Sequence, residues 1–359
     1  MDGTATEGVL DPAIGKRLRA GVAIPAHPLA LDANRRLDER RQRALSRYYI
    51  AAGSGGLAVA VHTTQFEIRK PEIGLLEPVL TLAKEEMDAA DARAPATDPL
   101  VRIAGVCGKT EQAVREATLA RELGYHAGLL SLAAMGDADD DALVVHAKRV
   151  SDVLPVVGFY LQTAVGGRVL SYSFWRRVME IERVVAVKIA PFHRYRTLDV
   201  MRAAVDSGRD DLALYTGNDD NIVLDLVTPY RLAGGERSIV GGLLGHWSVW
   251  TRPAVELLER CRAVREGKAP LDADLLRLSV AVTDTNAAFF DAANNFAGCI
   301  AGLHEVLRRQ GLLEGIWCLD ENETLGPGQL AEIDRIYAAY PELNDDAFVA
   351  EHRDAWLRG

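Results

Sequence analysis

The feature that most constrains the fold of this chain is a regular alternation of short apolar runs with longer amphipathic segments. Eight apolar runs follow one another between residues 21 and 242. Nearly continuous apolar strands that alternate with helices are typical of a parallel sheet covered on both faces, and eight such units fit a closed barrel better than an open sheet. We therefore predict an α/β fold, a (β/α)8 TIM barrel with additional C-terminal helices. The predicted strands are 21–27, 55–61, 100–106, 127–132, 155–160, 184–189, 212–217 and 237–242.

The segments around these strands indicate the domain organisation. Residues 110–125 have helical spacing, and Thr110 is placed to cap the start of that helix. Residues 88–99 are rich in Ala, Asp and Pro and predict a surface insertion before the third strand. The chain after the eighth strand is too long for one barrel helix, and 271–310 and 328–356 are predicted to be helical. The predicted organisation is an N-terminal extension (1–18), a barrel (19–268) and a C-terminal helical region (269–359).

Composition narrows the possible partners. The formal net charge of −10 and the pI near 5.4 argue against nucleic acid and against an anionic membrane surface, because both attract clustered Lys and Arg. A small-molecule partner is expected instead. The N-terminus has no apolar h-region and the chain has no run of about 18 apolar residues, so neither a signal peptide nor a membrane span is predicted. The cysteines, Cys107, Cys261, Cys299 and Cys318, form no CxxC pair, which favours a reducing cytoplasm over a disulfide framework or a zinc knuckle.

Lys188 is the most unusual residue of the predicted strands. It lies in the run VVAVKIAP (184–191), whose other residues are all apolar. Lysine is almost never fully buried without a partner, and desolvation disfavours its charged form. Lys188 is therefore a surface residue, one half of an ion pair with Asp219 or Asp220, or an amine with a lowered pKa.

Polar residues also mark the carboxyl ends of the other strands, where the chemistry of such barrels takes place. The second strand leads into His62, Thr63 and Thr64, the fifth ends in Tyr160, and the seventh is followed by Gly-Asn-Asp-Asp at 217–220. Together with the lysine in strand six, this order resembles the dihydrodipicolinate synthase and N-acetylneuraminate lyase superfamily. Its members are class I, Schiff-base (β/α)8 enzymes that act on pyruvate-type 2-oxo acids.

The resemblance implies a role for each of these residues. Lys188 would form an imine with the substrate ketone, and Tyr160 would relay protons to and from the carbinolamine and the enamine. Thr63 and Thr64 would bind the substrate carboxylate through hydroxyl and backbone N–H groups. Burial fits this role for Lys188, because the attacking amine must be neutral and desolvation lowers its pKa. The resemblance also implies a homo-oligomer, a dimer or tetramer, and no cofactor is expected.

Four further residues are candidates for contacts with the substrate. His62 is a possible contact or auxiliary acid–base group, and Gln162 and Asn218 offer neutral hydrogen bonds to hydroxyl groups. Val240 lies in the glycine-containing run IVGGLLGHW (239–247), where the backbone is free to approach a ligand. Each polar candidate also has a purely structural interpretation, since Thr and Asn commonly cap or hold turns and Tyr can fill an apolar space.

Departures from the family pattern bear on the substrate. His62 replaces the Gly that usually precedes the Thr pair, and LAAMGD (132–137) replaces a Pro-Tyr-Tyr run whose second Tyr completes the proton relay across a subunit interface. Val165 takes the position of an Arg that grips the carboxylate of the second substrate, and Arg168 lies three residues later. These differences favour a divergent 2-oxo acid lyase or aldolase, or a dehydratase for a sugar-acid-like substrate, over dihydrodipicolinate synthesis.

Two other classes of protein stay open at this point. One is a metal-dependent barrel that uses His27, His62 and acidic residues at the strand ends, although no third ligand is obvious and a catalytic site normally has three. The other is a barrel that binds a ligand without turning it over. Covalent trapping of an imine on Lys188 would separate both from a Schiff-base enzyme.

Overall fold

A closed barrel of parallel strands forms the centre of the molecule. The computed structural model describes residues 8–95 and 97–359, and within these ranges eight parallel strands make one sheet. The strands are β1 (Ala23–Pro25), β2 (Gly56–Val59), β3 (Val101–Val106), β4 (Ala127–Leu130), β5 (Val156–Leu161), β6 (Val184–Ala190), β7 (Ala213–Thr216) and β10 (Gly241–Leu244). Their order is β1-β10-β7-β6-β5-β4-β3-β2, and a parallel bridge between Ala26 and Ala58 joins the two ends. The predicted barrel is confirmed.

Helices surround this barrel and continue beyond it. The helices that follow or precede barrel strands are α1 (Pro12–Ala20), α2 (Glu39–Ala51), α3 (Leu76–Asp91), α4 (Thr110–Glu122), α5 (Asp140–Ser151), α6 (Tyr172–Val178), α7 (Arg194–Asp206), α8 (Ile222–Val227) and α9 (Thr251–Arg265). The C-terminal helices are α10 (Ala273–Phe289), α11 (Cys299–Arg309), α12 (Gln329–Ala339) and α13 (Asp346–Arg358). The additional C-terminal helices are therefore also confirmed.

Alternation along each strand separates two apolar cores. In β5, Val157 and Phe159 pack inside the barrel, whereas Tyr160 packs in the layer between the barrel and its helices. In β6, Val187 belongs to the outer layer, and Lys188 projects to the inside together with Ala190. Successive side chains of a strand point to opposite faces, so one residue of displacement decides which core a side chain enters.

Helix α1 closes the amino-terminal end of the barrel. Its residue Leu18 packs inside the barrel, and the Tyr215 hydroxyl donates a hydrogen bond of 2.9 Å to the Leu18 carbonyl. The same hydroxyl accepts a hydrogen bond of 3.2 Å from the Val22 backbone N–H. The predicted boundary at residue 18 thus falls inside a helix that is part of the barrel, and residues 1–7 of the predicted extension lie outside the described residues.

Two local predictions have wrong boundaries. The predicted eighth strand, 237–242, begins in an antiparallel hairpin of β8 (Pro229–Leu232) and β9 (Gly235–Ser238), and the barrel strand β10 starts only at Gly241. The polar side chains of the hairpin are exposed or half-buried, as an isolated hairpin on the surface requires. The predicted insertion at 88–99 begins within α3, which continues to Asp91, and the mostly exposed connection to β3 starts only at Ala92. The Asp91 carboxylate accepts a hydrogen bond of 2.9 Å from the Leu100 N–H.

The C-terminal helices pack onto the barrel rather than apart from it. The Tyr48 hydroxyl of α2 donates a hydrogen bond of 2.7 Å to Asp345, which lies just before α13. Phe289 at the end of α10 packs edge-on against Trp250, with ring centres 5.0 Å apart. No helix of the described ranges is both long enough and apolar enough to cross a bilayer. This packing brings the segment after α10 to the mouth of the barrel.

Candidate active site

A cavity opens at the carboxyl ends of the barrel strands. Lys188 lies at its base, and residues from six strands or their following loops and from the C-terminal region form its wall. Most of the wall is apolar, which keeps water from solvating the polar groups that project into it. The wall includes Phe159, His62, Thr63, Gln162, Val165, Gly217, Asp219, Phe290 and Cys299.

Lys188 is buried, with 8% of its surface exposed. Its Nζ lies 4.5 Å from the centre of the Phe159 ring, the residue directly opposite it in the pairing of β5 with β6. Its stem passes over Gly217, where a Cβ would lie 2.5 Å from Lys188 Cε. Burial lowers the pKa of Lys188 to about 8, although the charges of Asp219 and Cys299 favour the ammonium form. A larger fraction of the amine is therefore neutral, and nucleophilic, than in an exposed lysine.

Asp219 projects into the same cavity from the loop after β7. The residue is buried, and its Oδ1 accepts a hydrogen bond of 2.9 Å from the backbone N–H of His246. Burial raises the pKa of Asp219 to about 7, against the opposing effects of that hydrogen bond and of Lys188. Within the described part of the chain, Lys188 and Asp219 do not form a direct ion pair. The sequence had suggested Asp219 only as a possible ion-pair partner, so its place in the cavity is a new observation.

Three predicted substrate contacts lie in the cavity wall. His62 and Thr63 follow β2 in a short 3-10 turn, and Gln162 follows β5. Burial and the charge of Lys188 lower the pKa of His62 to about 4, so its imidazole is neutral near pH 7. The Thr63 hydroxyl donates a hydrogen bond of 3.3 Å to the backbone carbonyl of His27. The structure thus brings these three residues together with Lys188.

Tyr160 is not in the cavity, so its predicted role as the proton relay is corrected. The side chain is completely buried outside the barrel, and the centre of its ring lies 5.6 Å from the centre of the Trp175 ring. Its hydroxyl donates to the Leu170 carbonyl at 3.3 Å and accepts from the Leu170 N–H at 3.1 Å. The physical reason is the strand period of two: Phe159, one residue earlier, is the aromatic side chain of β5 that faces Lys188.

Two other predicted contacts serve the local backbone instead. The Thr64 hydroxyl donates to the His27 carbonyl at 2.7 Å and accepts from the Val61 N–H at 3.2 Å, which fixes the turn after β2. Asn218 is buried outside the cavity wall, where its Oδ1 accepts from the Phe192 N–H at 3.0 Å and its Nδ2 donates to Asp225 at 2.9 Å. Both side chains are occupied by these bonds, so the predicted substrate contacts of Thr64 and Asn218 are corrected to structural roles.

Val240 lies at the wrong end of the barrel for its predicted contact. It precedes β10, and its N–H bonds the Leu214 carbonyl at 2.8 Å near the amino-terminal end of the sheet. Gly245, which follows the same strand, lines the cavity instead. Val240 was misplaced because the predicted eighth strand begins at residue 237, four residues before the start of β10.

The C-terminal region supplies two cavity residues that the sequence did not indicate. Phe290 follows α10, and Cys299 begins α11. Burial raises the pKa of the Cys299 thiol well above its ordinary value, so the thiol stays neutral. Arg168, in contrast, is turned away, and its guanidinium donates to the Ala138 carbonyl at 2.8 Å in the loop after β4. Among the described residues that line the cavity with Val165, none is an arginine.

The metal-dependent alternative finds no support in the placement of the histidines. Over 8–95 and 97–359, no three His, Cys, Asp or Glu residues are arranged to hold a metal ion. His27 is fully buried, and its ring nitrogens lie 2.8 Å from the Pro28 carbonyl and 2.9 Å from the Ser46 hydroxyl. Burial lowers its pKa to about 4. His27 is therefore a structural histidine with both ring nitrogens satisfied.

These features define a class, a (β/α)8 barrel with a buried lysine at its mouth, and solved structures share the fold. Dihydrodipicolinate synthase from Oceanobacillus iheyensis superposes with a TM-score of 0.72 at 16% identity, over 92% of this chain and 99% of that one. N-acetylneuraminate lyase from Fusobacterium nucleatum gives 0.68 at 15% identity, over 89% and 99%. A prophage protein of the dihydrodipicolinic acid synthase family from E. coli K12, in complex with pyruvate, gives 0.68 at 16%, over 89% and 97%.

Comparison of whole sequences does not detect this likeness. No protein-family model matches the chain, and no curated protein matches it significantly. At the identities of the structural matches, the likeness shows the fold, and the resemblance inferred from the sequence is confirmed at that level.

Proposed function

We propose that this protein is a divergent Schiff-base lyase or aldolase that acts on pyruvate or a related 2-oxo acid through an imine on Lys188. The observation that carries the proposal is the lysine itself, which is buried at the mouth of a barrel, in contact with an aromatic ring and without a direct ion pair in the described residues. An amine in that setting is neutral often enough to attack a carbonyl, and it becomes cationic again as an iminium.

The rest of the cavity is suited to a small 2-oxo acid. Lys188 is the only cationic side chain among the described residues that line it, and Thr63 and Gln162 offer neutral polar groups beside it. An iminium on Lys188 would attract the carboxylate of its own substrate, and those neutral groups would orient it. The fold supports the same reading, because one solved structure with this fold holds pyruvate.

The same imine serves more than one direction of reaction. An aldolase or lyase forms or breaks a carbon–carbon bond next to the imine carbon, and a 2-oxo sugar-acid dehydratase expels water from an imine of the same kind. The two are separated by the products formed from a panel of 2-oxo acids. The homo-oligomeric state and the cytoplasmic location inferred from the sequence stay predictions.

Covalent trapping tests the proposal. The protein is incubated with pyruvate and borohydride, and the modified residue is located by peptide mass spectrometry. We expect a reduced adduct on Lys188 that is absent from Lys188→Arg, because a guanidinium forms no imine. Lys148→Arg is the matched control, since Lys148 is exposed and pairs with Asp152 on α5. No adduct on Lys188 with any 2-oxo acid tested would overturn the proposal and favour a barrel that only binds.

A further inference from the structure

The tyrosine hydroxyl that the proposed chemistry would draw on lies outside the cavity. Tyr160 lies behind the barrel wall, and Phe159, which faces Lys188, has no proton to give. Imine formation nevertheless requires an acid to protonate the leaving oxygen, and enamine formation requires a base to take a proton from carbon. Another side chain of the cavity must therefore supply both functions if the proposed function holds.

Among the described residues that line the cavity, few can exchange a proton. Besides Lys188 they are His62, Asp219 and Cys299. The lowered pKa of His62 makes its imidazole a weak base, and the raised pKa of Cys299 makes its thiol a weak acid. The pKa of Asp219, raised to about 7, lies near a working pH, where a carboxyl group can both give and take a proton.

Geometry selects the same residue. Asp219 lies two residues after Gly217, whose backbone contacts the Lys188 stem, and its Oδ1 is held by the His246 N–H at 2.9 Å. Asp219 also lines the cavity, where a ligand can reach it. The amine and the carboxyl group line one cavity and affect each other's ionisation, so a carbonyl bound there would meet both.

We propose that Asp219 is the acid and base of the imine on Lys188. This inference rests on the proposed function. The neutral amine attacks the ketone carbon, and the protonated Asp219 gives its proton to the carbonyl oxygen. One proton of the attacking nitrogen is then transferred to the same oxygen, and water leaves, so that an iminium and an Asp219 carboxylate result. The carboxylate then removes a proton from the carbon next to the iminium. The electrons of that C–H bond form the enamine double bond, and the former C=N π electrons neutralise the nitrogen.

Isotope exchange separates this step from imine formation. Pyruvate is incubated with the protein in D2O, and the loss of its methyl proton signal is followed by NMR, while trapping with borohydride is measured in parallel. In Asp219→Asn we expect exchange to fall by about 10²–10⁴-fold, the usual contribution of an acid–base group, while an adduct on Lys188 still accumulates at long times. The amide keeps an oxygen for the His246 N–H, so the loop should retain its conformation.

Two further variants make the result specific. Asp219→Glu keeps a carboxyl group and should recover part of the exchange, whereas Asp220→Asn, which changes the exposed neighbour, should exchange within a few-fold of the unmodified protein.

The outcomes distinguish the two proposals. If the unmodified protein forms no adduct, the proposed function itself fails. If it forms the adduct and exchanges protons, but Asp219→Asn exchanges as fast, Asp219 is not the proton carrier. Equal losses in Asp219→Asn and Asp219→Glu, with both variants folded, would overturn the inference in the same way.

Discussion

Phe159 and Lys188 are partners across two neighbouring parallel strands, and the amine lies 4.5 Å from the centre of the aromatic ring. A cation over such a ring is stabilised by about 0.5 to 2 kcal/mol, depending on how dry the site is. The ring therefore opposes the desolvation that lowers the pKa of Lys188. Phe159 thus favours the ammonium form of the amine.

Replacing this ring should change the pH at which Lys188 reacts. Phe159→Leu keeps an apolar side chain but removes the aromatic face, so it should lower the pKa of Lys188 by roughly 0.4 to 1.5, since one pKa unit corresponds to about 1.36 kcal/mol. The initial rate of imine trapping rises with pH as the amine loses its proton, and its midpoint should move to lower pH in the variant. Tyr172→Leu, which removes the surface contact between Tyr172 and Arg202, is the control and should leave the midpoint in place.

Gly217 should be essential because of the space it leaves for the lysine stem. In Gly217→Ala the new Cβ would lie 2.5 Å from Lys188 Cε and 2.7 Å from the Ala190 Cβ, so the stem must shift. Overpacking of this kind costs about 1 to 3 kcal/mol, and a displaced amine should react at least about 10-fold more slowly in trapping. Gly136→Ala is the matched control, because the nearest atom to its Cβ would lie 4.0 Å away. Unchanged trapping in Gly217→Ala would contradict the described position of the lysine.

The barrel could be predicted from the sequence because each of its strands is marked by a pattern of neighbouring residues. Apolar runs and their spacing mark buried strands, and the lysine in the sixth run is conspicuous for the same reason. The two adjacent aromatic residues, Phe159 and Tyr160, were harder, because both faces of this strand are apolar and alternation gives no sign of which one points inward. Tyr160 was predicted to face the lysine because its hydroxyl can carry a proton. The register of β5 against β6 instead places Phe159 opposite Lys188.

The missed residues depend on tertiary packing. Phe290 and Cys299 come from beyond the last barrel strand, and no periodicity in their own segments indicates that they turn back to the mouth. Val240 was misplaced because the surface hairpin 229–238 interrupts the alternation before the eighth strand. Asp219 was visible in the sequence, but its role depends on the burial that the surrounding apolar wall produces.

The buried lysine should lower the stability of the fold below pH 8. Its pKa of about 8 lies below the ordinary 10.5, so the folded state disfavours the ammonium form. This penalty is fully present below about pH 8 and disappears as the pH rises towards the ordinary value. At pH 6, Lys188→Met should therefore raise the free energy of unfolding by about 1 to 3 kcal/mol, since it keeps the apolar stem and removes the buried charge.

Chemical denaturation at two pH values tests that sign. The stability gain of Lys188→Met should shrink between pH 6 and pH 10, because the lysine of the folded protein is neutral at the higher value. Lys148→Met on the surface should change stability by less than about 0.5 kcal/mol at either pH. A loss of stability in Lys188→Met at pH 6 would mean that the ammonium group is paired in the folded protein.

The cavity wall next to the lysine should select a neutral second substrate. Val165 and Gln162 are uncharged, Arg168 bonds the loop after β4, and a carboxylate placed in this part of the wall would lose its hydration without gaining a partner. With pyruvate as donor, the protein should have a higher kcat/KM for a neutral or hydroxylated aldehyde than for aspartate semialdehyde. Val165→Arg should shift this ratio towards the charged aldehyde by about 10-fold or more, as one charge-assisted hydrogen bond allows. The control is Val169→Arg, because Val169 is exposed and lies outside the cavity, and this variant should leave the ratio unchanged. Efficient turnover of aspartate semialdehyde by the unmodified protein would show that a cation reaches the site from elsewhere.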